Sequence, residues 1–150
     1  YKSARMLINK ANEENVGTII LGYNKGLKQN INIGKVNNQN FVSIPLDKLK
    51  RRISLLAKAE NIKIIIQEES YTSKASFFDN DEIPVYDENK IHKFSGKRIK
   101  RGLYKTSNGS IINADLNAAL NILKKSKLDK KVILFLQSSG VNTPIRLKVV

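Results

Sequence analysis

Two short β-branched runs with a helix-patterned stretch between them constrain this chain more than anything else in it. VGTIIL (16–21) and IKIIIQ (62–67) are continuous apolar runs of strand length. Between them, after Pro45, LDKLKRRISLLAKAEN repeats Leu46, Leu49, Ile53, Leu56 and Ala57 at helical spacing. Proline suits the first turn of a helix because its missing N–H has no partner there anyway. Strand, helix, strand in that order predicts a right-handed crossover joining parallel strands. An α/β fold is therefore expected.

The rest of the chain is read around that unit. Ala4, Leu7, Ile8 and Ala11 share one face, which predicts a helix over 2–13. Residues 22–41 are rich in Gly and Asn and hold no acid, so a long loop is expected. GYNKGLKQ within it lacks the Gly-Lys-Ser/Thr ending of a P-loop, which excludes triphosphate binding on that motif. Residues 70–110 carry turn signals and few core signals, as an insert would. In IINADLNAALNI and the Leu123 that follows it, Leu116, Ala119, Leu120 and Leu123 recur at helical spacing, and a helix over 114–126 is expected. KKVILFLQ (130–137) and IRLKVV (145–150) read as short strands.

Charge narrows the partners. The chain has 150 residues and a formal net charge of +14, from 27 Lys and Arg against 13 Asp and Glu. A nucleic-acid partner follows by default, since each phosphate neutralised releases a counterion. A basic structural RNA-binding protein is the alternative. There is no cysteine, hence no disulfide and no thiolate metal site. No apolar run is long enough to span a bilayer, and no membrane partner is expected. A cytoplasmic location is expected. Between Asn89 and Ala114 there is no acid but seven cations: Lys90, Lys93, Lys97, Arg98, Lys100, Arg101 and Lys105. With Lys74, this run supplies the candidate nucleic-acid contacts. His92, Phe94 and Tyr104 are interleaved, to stack on bases or to pack under the loop.

The candidate acids are Glu68 and Glu69 at a strand end and Asp115 at a helix start. Convergent carboxylates are what Mg²⁺ ions need to hydrolyse a phosphodiester, because hard oxygen ligands hold the metal while water completes its shell. Spacing alone leaves the plainer reading open, with Glu68 and Glu69 as solvated charges and Asp115 as a first-turn acid favoured by the helix dipole.

QEESYTSKASF (67–77) followed by INADLNAALNI (112–122) resembles the C-terminal half of TnpB (OrfB-type) insertion-sequence transposon proteins. These are RNA-guided nucleases related to type V CRISPR effectors. GTIILGYNKGLKQ, FSGKRIKRGLY and SSGVNTPIRLKV extend the resemblance. It implies a partial RNase H-like (RuvC-like) fold over 1–69 and 111–150. It also implies a target-nucleic-acid-binding insert over 70–110, basic where relatives carry a zinc ribbon. By the same resemblance Asp115 is a catalytic, Mg²⁺-binding acid. Its partner is Glu69, with Glu68 as the fallback. DNA is the implied partner, joined by guide RNA in a full-length parent that uses Mg²⁺ to cut DNA. The zinc cysteines of the family fall on Ser76, Asp79, Lys105 and Asn108, so no zinc is expected. Phe77, Phe78, Ile83, Val85, Phe94, Ile99 and Tyr104 are then expected to hold the insert. The family's first catalytic Asp has no counterpart here. That makes the chain a C-terminal fragment without activity of its own, or a non-catalytic binding relic.

Overall fold

The computed structural model describes residues 2–23, 45–87, 89–128 and 130–138. They divide into two compact units, one built on residues up to Ile66 and the other on residues from Gln67 onward.

The first unit opens with α1 (Lys2–Glu13), followed by β1 (Thr18–Tyr23), α2 (Leu46–Ala59) and β2 (Lys63–Glu68), whose last residues pass into the second unit. β1 and β2 pair in a two-stranded parallel sheet. Periodicity explains the helices. Ala4, Ile8 and Ala11 of α1 meet Ile53, Leu56 and Ala57 of α2, with Ile62 completing the buried set. Ile19, Leu21, Leu49 and Ile64 pack against it from the strands and from α2. Leu7, expected on the buried face, is instead substantially exposed. Asn15 and Asn61 end the two helix exits in left-handed backbone (φ 54° and 57°), which Asn tolerates better than most residues. Gly22 and Tyr23 prolong β1. From residue 24 on, the expected loop lies outside the described residues, as does the expected strand 145–150.

The second unit contains β3 (Lys97–Lys100), β4 (Leu103–Lys105), β5 (Ile111–Asn113), α3 (Ala114–Lys125) and α4 (Lys130–Ser138). β3, β4 and β5 form an antiparallel sheet in that order, pairing Arg98 with Tyr104 and Tyr104 with Ile112. Gly102 (φ 77°) makes the tight turn from β3 to β4. Asn113 then ends β5 and caps α3. Its side chain accepts from the Asp115 and Leu116 amides, both at 2.9 Å, satisfying two otherwise orphaned donors.

Residues 130–138 are a helix, not the strand expected from their apolar run. A short apolar run does not distinguish strand from helix by periodicity. Here only Ile133 is buried and Leu136 half-buried against Phe77 and Leu120, a spacing of three that a helix presents on one face.

Candidate nucleic-acid interface

Segment 69–81 is pinned to α3 by polar side chains rather than by a broad apolar face. Asn117 is fully buried. Its Nδ2 donates to the Ala75 carbonyl (2.8 Å) and its Oδ1 accepts from the Phe77 amide (3.0 Å). One turn on, Asn121 Nδ2 donates to the Thr72 and Ala75 carbonyls at 2.9 and 2.7 Å. A loop has no ladder to satisfy its backbone, so two asparagines at i and i+4 do it. Thr72 in turn closes a turn onto the Glu69 carbonyl through both its amide and its hydroxyl.

Of the four positions where the resemblance puts zinc cysteines, Ser76 and Asp79 are tied by hydrogen bonds to the turn that follows Lys105 and contains Asn108. Asp79 Oδ2 accepts from the Ser107 amide (2.9 Å) and Oδ1 from the Ser107 hydroxyl (2.6 Å). The Asp79 amide donates to Ser76 Oγ (3.3 Å). Asn108 Oδ1 accepts from Thr106 Oγ1 and the Ser110 amide, shaping the opposite turn. Lys105 is exposed and takes no part in this bridge. A second carboxylate repeats the device: Asp81 accepts from the amides of Ser76 and Ser95 and from Ser95 Oγ. Charge-assisted bonds to backbone N–H groups are among the stronger neutral-pH ties available. Burial opposes the charge on Asp79, but donation from Ser107 and Ser76 outweighs it and holds the carboxyl below its ordinary value.

Tyr104 lies at the centre of the three-stranded sheet. It is fully buried, its hydroxyl donates to the Lys74 carbonyl (2.8 Å), and it packs with Ile112, Ala114 and Phe78. Burial, with Asp81 and Asp79 nearby, pushes its phenol up to about 12. Gly96 is required beside it: a Cβ there would lie 2.5 Å from the ring and 2.6 Å from the Lys105 carbonyl oxygen. Of the side chains expected to hold the insert, Phe77 and Tyr104 are buried, and Phe78, Ile83 and Phe94 are half-buried. Val85 and Ile99 are corrections, being 76% and 42% exposed. Hydrogen bonds accepted by Asp79 and Asp81, and those made by Asn117 and Asn121, tie this region in their place. Tyr104 packs inward and presents no face for a base.

Lys74, Lys93, Lys97, Arg98, Lys100, Arg101 and Lys105 are all exposed. Every residue of β3 is exposed, so the Lys97–Lys100 strand is an edge ribbon carrying cations on both faces. Lys97 stands opposite Lys105 across the β3–β4 ladder, a like-charge pairing that costs stability unless an anion lies over it.

The acids differ from one another. Glu68 is committed: its carboxylate meets Lys125 Nζ at 2.5 Å and accepts from the Ser70 amide. Burial works against its charge, but the Lys125 and Ser70 hydrogen bonds prevail and keep its carboxyl below the ordinary value. Lys125 Nζ also donates to the Ser70 and Pro84 carbonyls. Glu69 is half-buried, and Asp115 is exposed in the first turn of α3. Lys125 and Asp115 are about 15 Å apart along α3 at 1.5 Å per residue, so the ion pair draws Glu68 toward the far end of that helix. Among the described residues no three His, Cys, Asp or Glu side chains converge as a metal site would require. They do not by themselves fit a two-metal centre.

Residues 47–122 match the family model described as Cas12f1-like, TNB domain. The chain belongs to the Cas12f1-like TNB family. No curated protein matches it. The matched span of this TNB chain runs from α2 through the pinned segment and the cationic hairpin into α3, and so takes in the elements just described. No described helix is long and apolar enough to cross a membrane.

Proposed function

We propose that this chain binds a target nucleic acid through the exposed cations of the 74–105 region. The observation that carries this is β3, four exposed residues of which three are cations, paired to a central strand that Tyr104 locks from within and Asp79 locks at Ser107 just beyond it. A rigid ribbon presents charge to a phosphate backbone at little entropic cost. Family membership supports the same reading. Neutralising Lys97, Arg98, Lys100 and Arg101 together is expected to weaken binding to every sequence. It also flattens the slope of log K against log salt by about 0.9 for each phosphate that is no longer neutralised. An unchanged slope in a fluorescence-anisotropy titration would show that the cluster only faces solvent.

The finer reading is a TnpB-type DNA endonuclease. In it Glu69 and Asp115 are two of the acids, and bound Mg²⁺ would supply a water of lowered pKa and charge neutralisation at the phosphate. Commitment of Glu68 to Lys125 favours Glu69 as the free acid. The chain's own contribution is positional: Thr72 and Asn121 tie the Glu69 carbonyl to the helix that carries Asp115. Because two acids do not make a two-metal site, the 150-residue chain is expected not to nick plasmid DNA in Mg²⁺. A further carboxylate from a longer parent, with guide RNA, would complete it. Nicking by the bare chain that Asp115→Ala abolishes would refute that expectation and favour a third acid within the chain.

A further inference from the structure

A second feature of the insert differs in chemistry from the cationic ribbon. Pro84, Val85, Tyr86, Asp87, Asn89 and His92 contribute to the lining of an open cavity of about 560 Å³. That volume is within the range of small-ligand sites. Tyr86 is 61% exposed, and its ring lies near-parallel to Tyr71 (24°, centroids 6.2 Å apart). Tyr71 is itself fixed. His92 meets it edge-on at 4.9 Å, Phe94 lies at 6.0 Å, and its hydroxyl donates to the Asp87 carbonyl. Its backbone is left-handed (φ 64°), which is uncommon for an aromatic residue and persists only where surroundings enforce it. The Pro84 carbonyl is anchored by Lys125 Nζ at 3.2 Å. The aromatic platform is thus preformed, while its outermost ring stays largely uncovered.

The surroundings indicate the occupant. Lys74 Nζ stands 6.0 Å from the Tyr71 ring centroid, and Lys93 follows His92, both exposed, while Lys90 pairs with Asp87 at 3.6 Å on the cavity's own lining. One exposed ring with Lys74 and Lys93 near its platform matches a polyanion whose repeating unit carries a flat apolar face.

We propose that this cavity takes one unpaired nucleobase of a single-stranded nucleic acid, stacked on Tyr86. The proposal rests on the nucleic-acid-binding reading above and adds a preference for unpaired over paired strands. A duplex keeps its bases stacked on one another and offers this platform only phosphates. Stacking recognises a face that all bases share, so DNA and RNA single strands are both accepted.

The test uses the full chain with 12-nucleotide single strands of DNA and of RNA and with the matching DNA duplex. Tyr86→Ala is expected to weaken binding to both single strands about tenfold and to leave the duplex unchanged. Tyr86→Phe is expected to restore single-strand binding. With the unmodified protein, a 2-aminopurine placed within the DNA single strand is expected to change its emission on binding, as a base that enters an aromatic stack does. The same label within the duplex is expected to stay constant. Equal single-strand affinity for Tyr86→Ala, or an unchanged 2-aminopurine signal at saturation, overturns the base site. In either case, duplex binding that still depends on Lys97, Arg98, Lys100 and Arg101 leaves the broader reading standing. Absence of binding to any of the three ligands defeats both.

Discussion

The two compact units of this chain are held together by different chemistry. The first is an apolar helix pair in which Ile8 and Ala57 are fully buried and every member of the buried cluster is a hydrocarbon side chain. The second has small apolar clusters around Phe77 and Tyr104, linked by carboxamide and carboxylate side chains that bond to backbone. Apolar packing is non-directional and tolerates repacking. Hydrogen bonds to backbone are directional, and losing one partner leaves the other buried and unsatisfied. The difference suits a unit that must hold an irregular segment and a cationic hairpin in one shape.

The largest expected effect breaks the first unit. Ile8→Ala should cost about 3 kcal/mol through reduced burial and the cavity left behind. Asn117→Ala should cost about 2 kcal/mol by stranding the Phe77 amide, while the Ala75 carbonyl keeps its bond from Asn121. Urea unfolding gives the totals and hydrogen exchange gives the location. The contrast predicts that Ile8→Ala speeds exchange in α1 and α2, while Asn117→Ala speeds it in 72–81. If Asn117→Ala is silent at 72–81, the polar account of the second unit is wrong.

A smaller effect comes from pH. Asp79 and Glu68 have folded values below their ordinary ones. Their contribution is therefore complete above the unfolded-state values of about 4, and is lost as pH falls through the lower folded values. Acidification from pH 6 to pH 3 should loosen the bridge between residues 76 and 107 before α1 and α2. Asp79→Asn should remove part of that dependence, read as amide exchange at Ser107.

This contrast also explains what the sequence made legible. α1, α2 and α3 follow from periodicity, because burying a stripe of Ile, Leu and Ala is a local requirement. β2 follows from its β-branched run. The β3–β4 hairpin did not show: Lys97–Lys100 holds a single apolar residue, and its strand form comes from pairing with Tyr104's strand. The helical state of 130–138 was set by the Phe77 and Leu120 surface, which no local pattern encodes. At the candidate interface, the run of cations was plain from composition, and the position of Asp115 in the first turn of α3 followed from the apolar periodicity after it. The roles of Asp79 and Asp81 were not, because a surface Asp and one that ties two turns together look alike until Ser95 and Ser107 are brought to them. Asn117 and Asn121 carried a faint signal, as asparagines one turn apart on a helix with little reason to hold them. Tyr86, beside Val85 in a polar stretch, carried none.

The central claim is that the second unit is a polar-clamped platform whose hairpin meets nucleic acid. Hydrogen exchange of the full chain, free and saturated with duplex DNA at low salt, tests it most directly. The account predicts slowed exchange concentrated in 93–105, with α1 and α2 unchanged. Slowing confined to α1 and α2, with 93–105 exchanging as in the free protein, would contradict it.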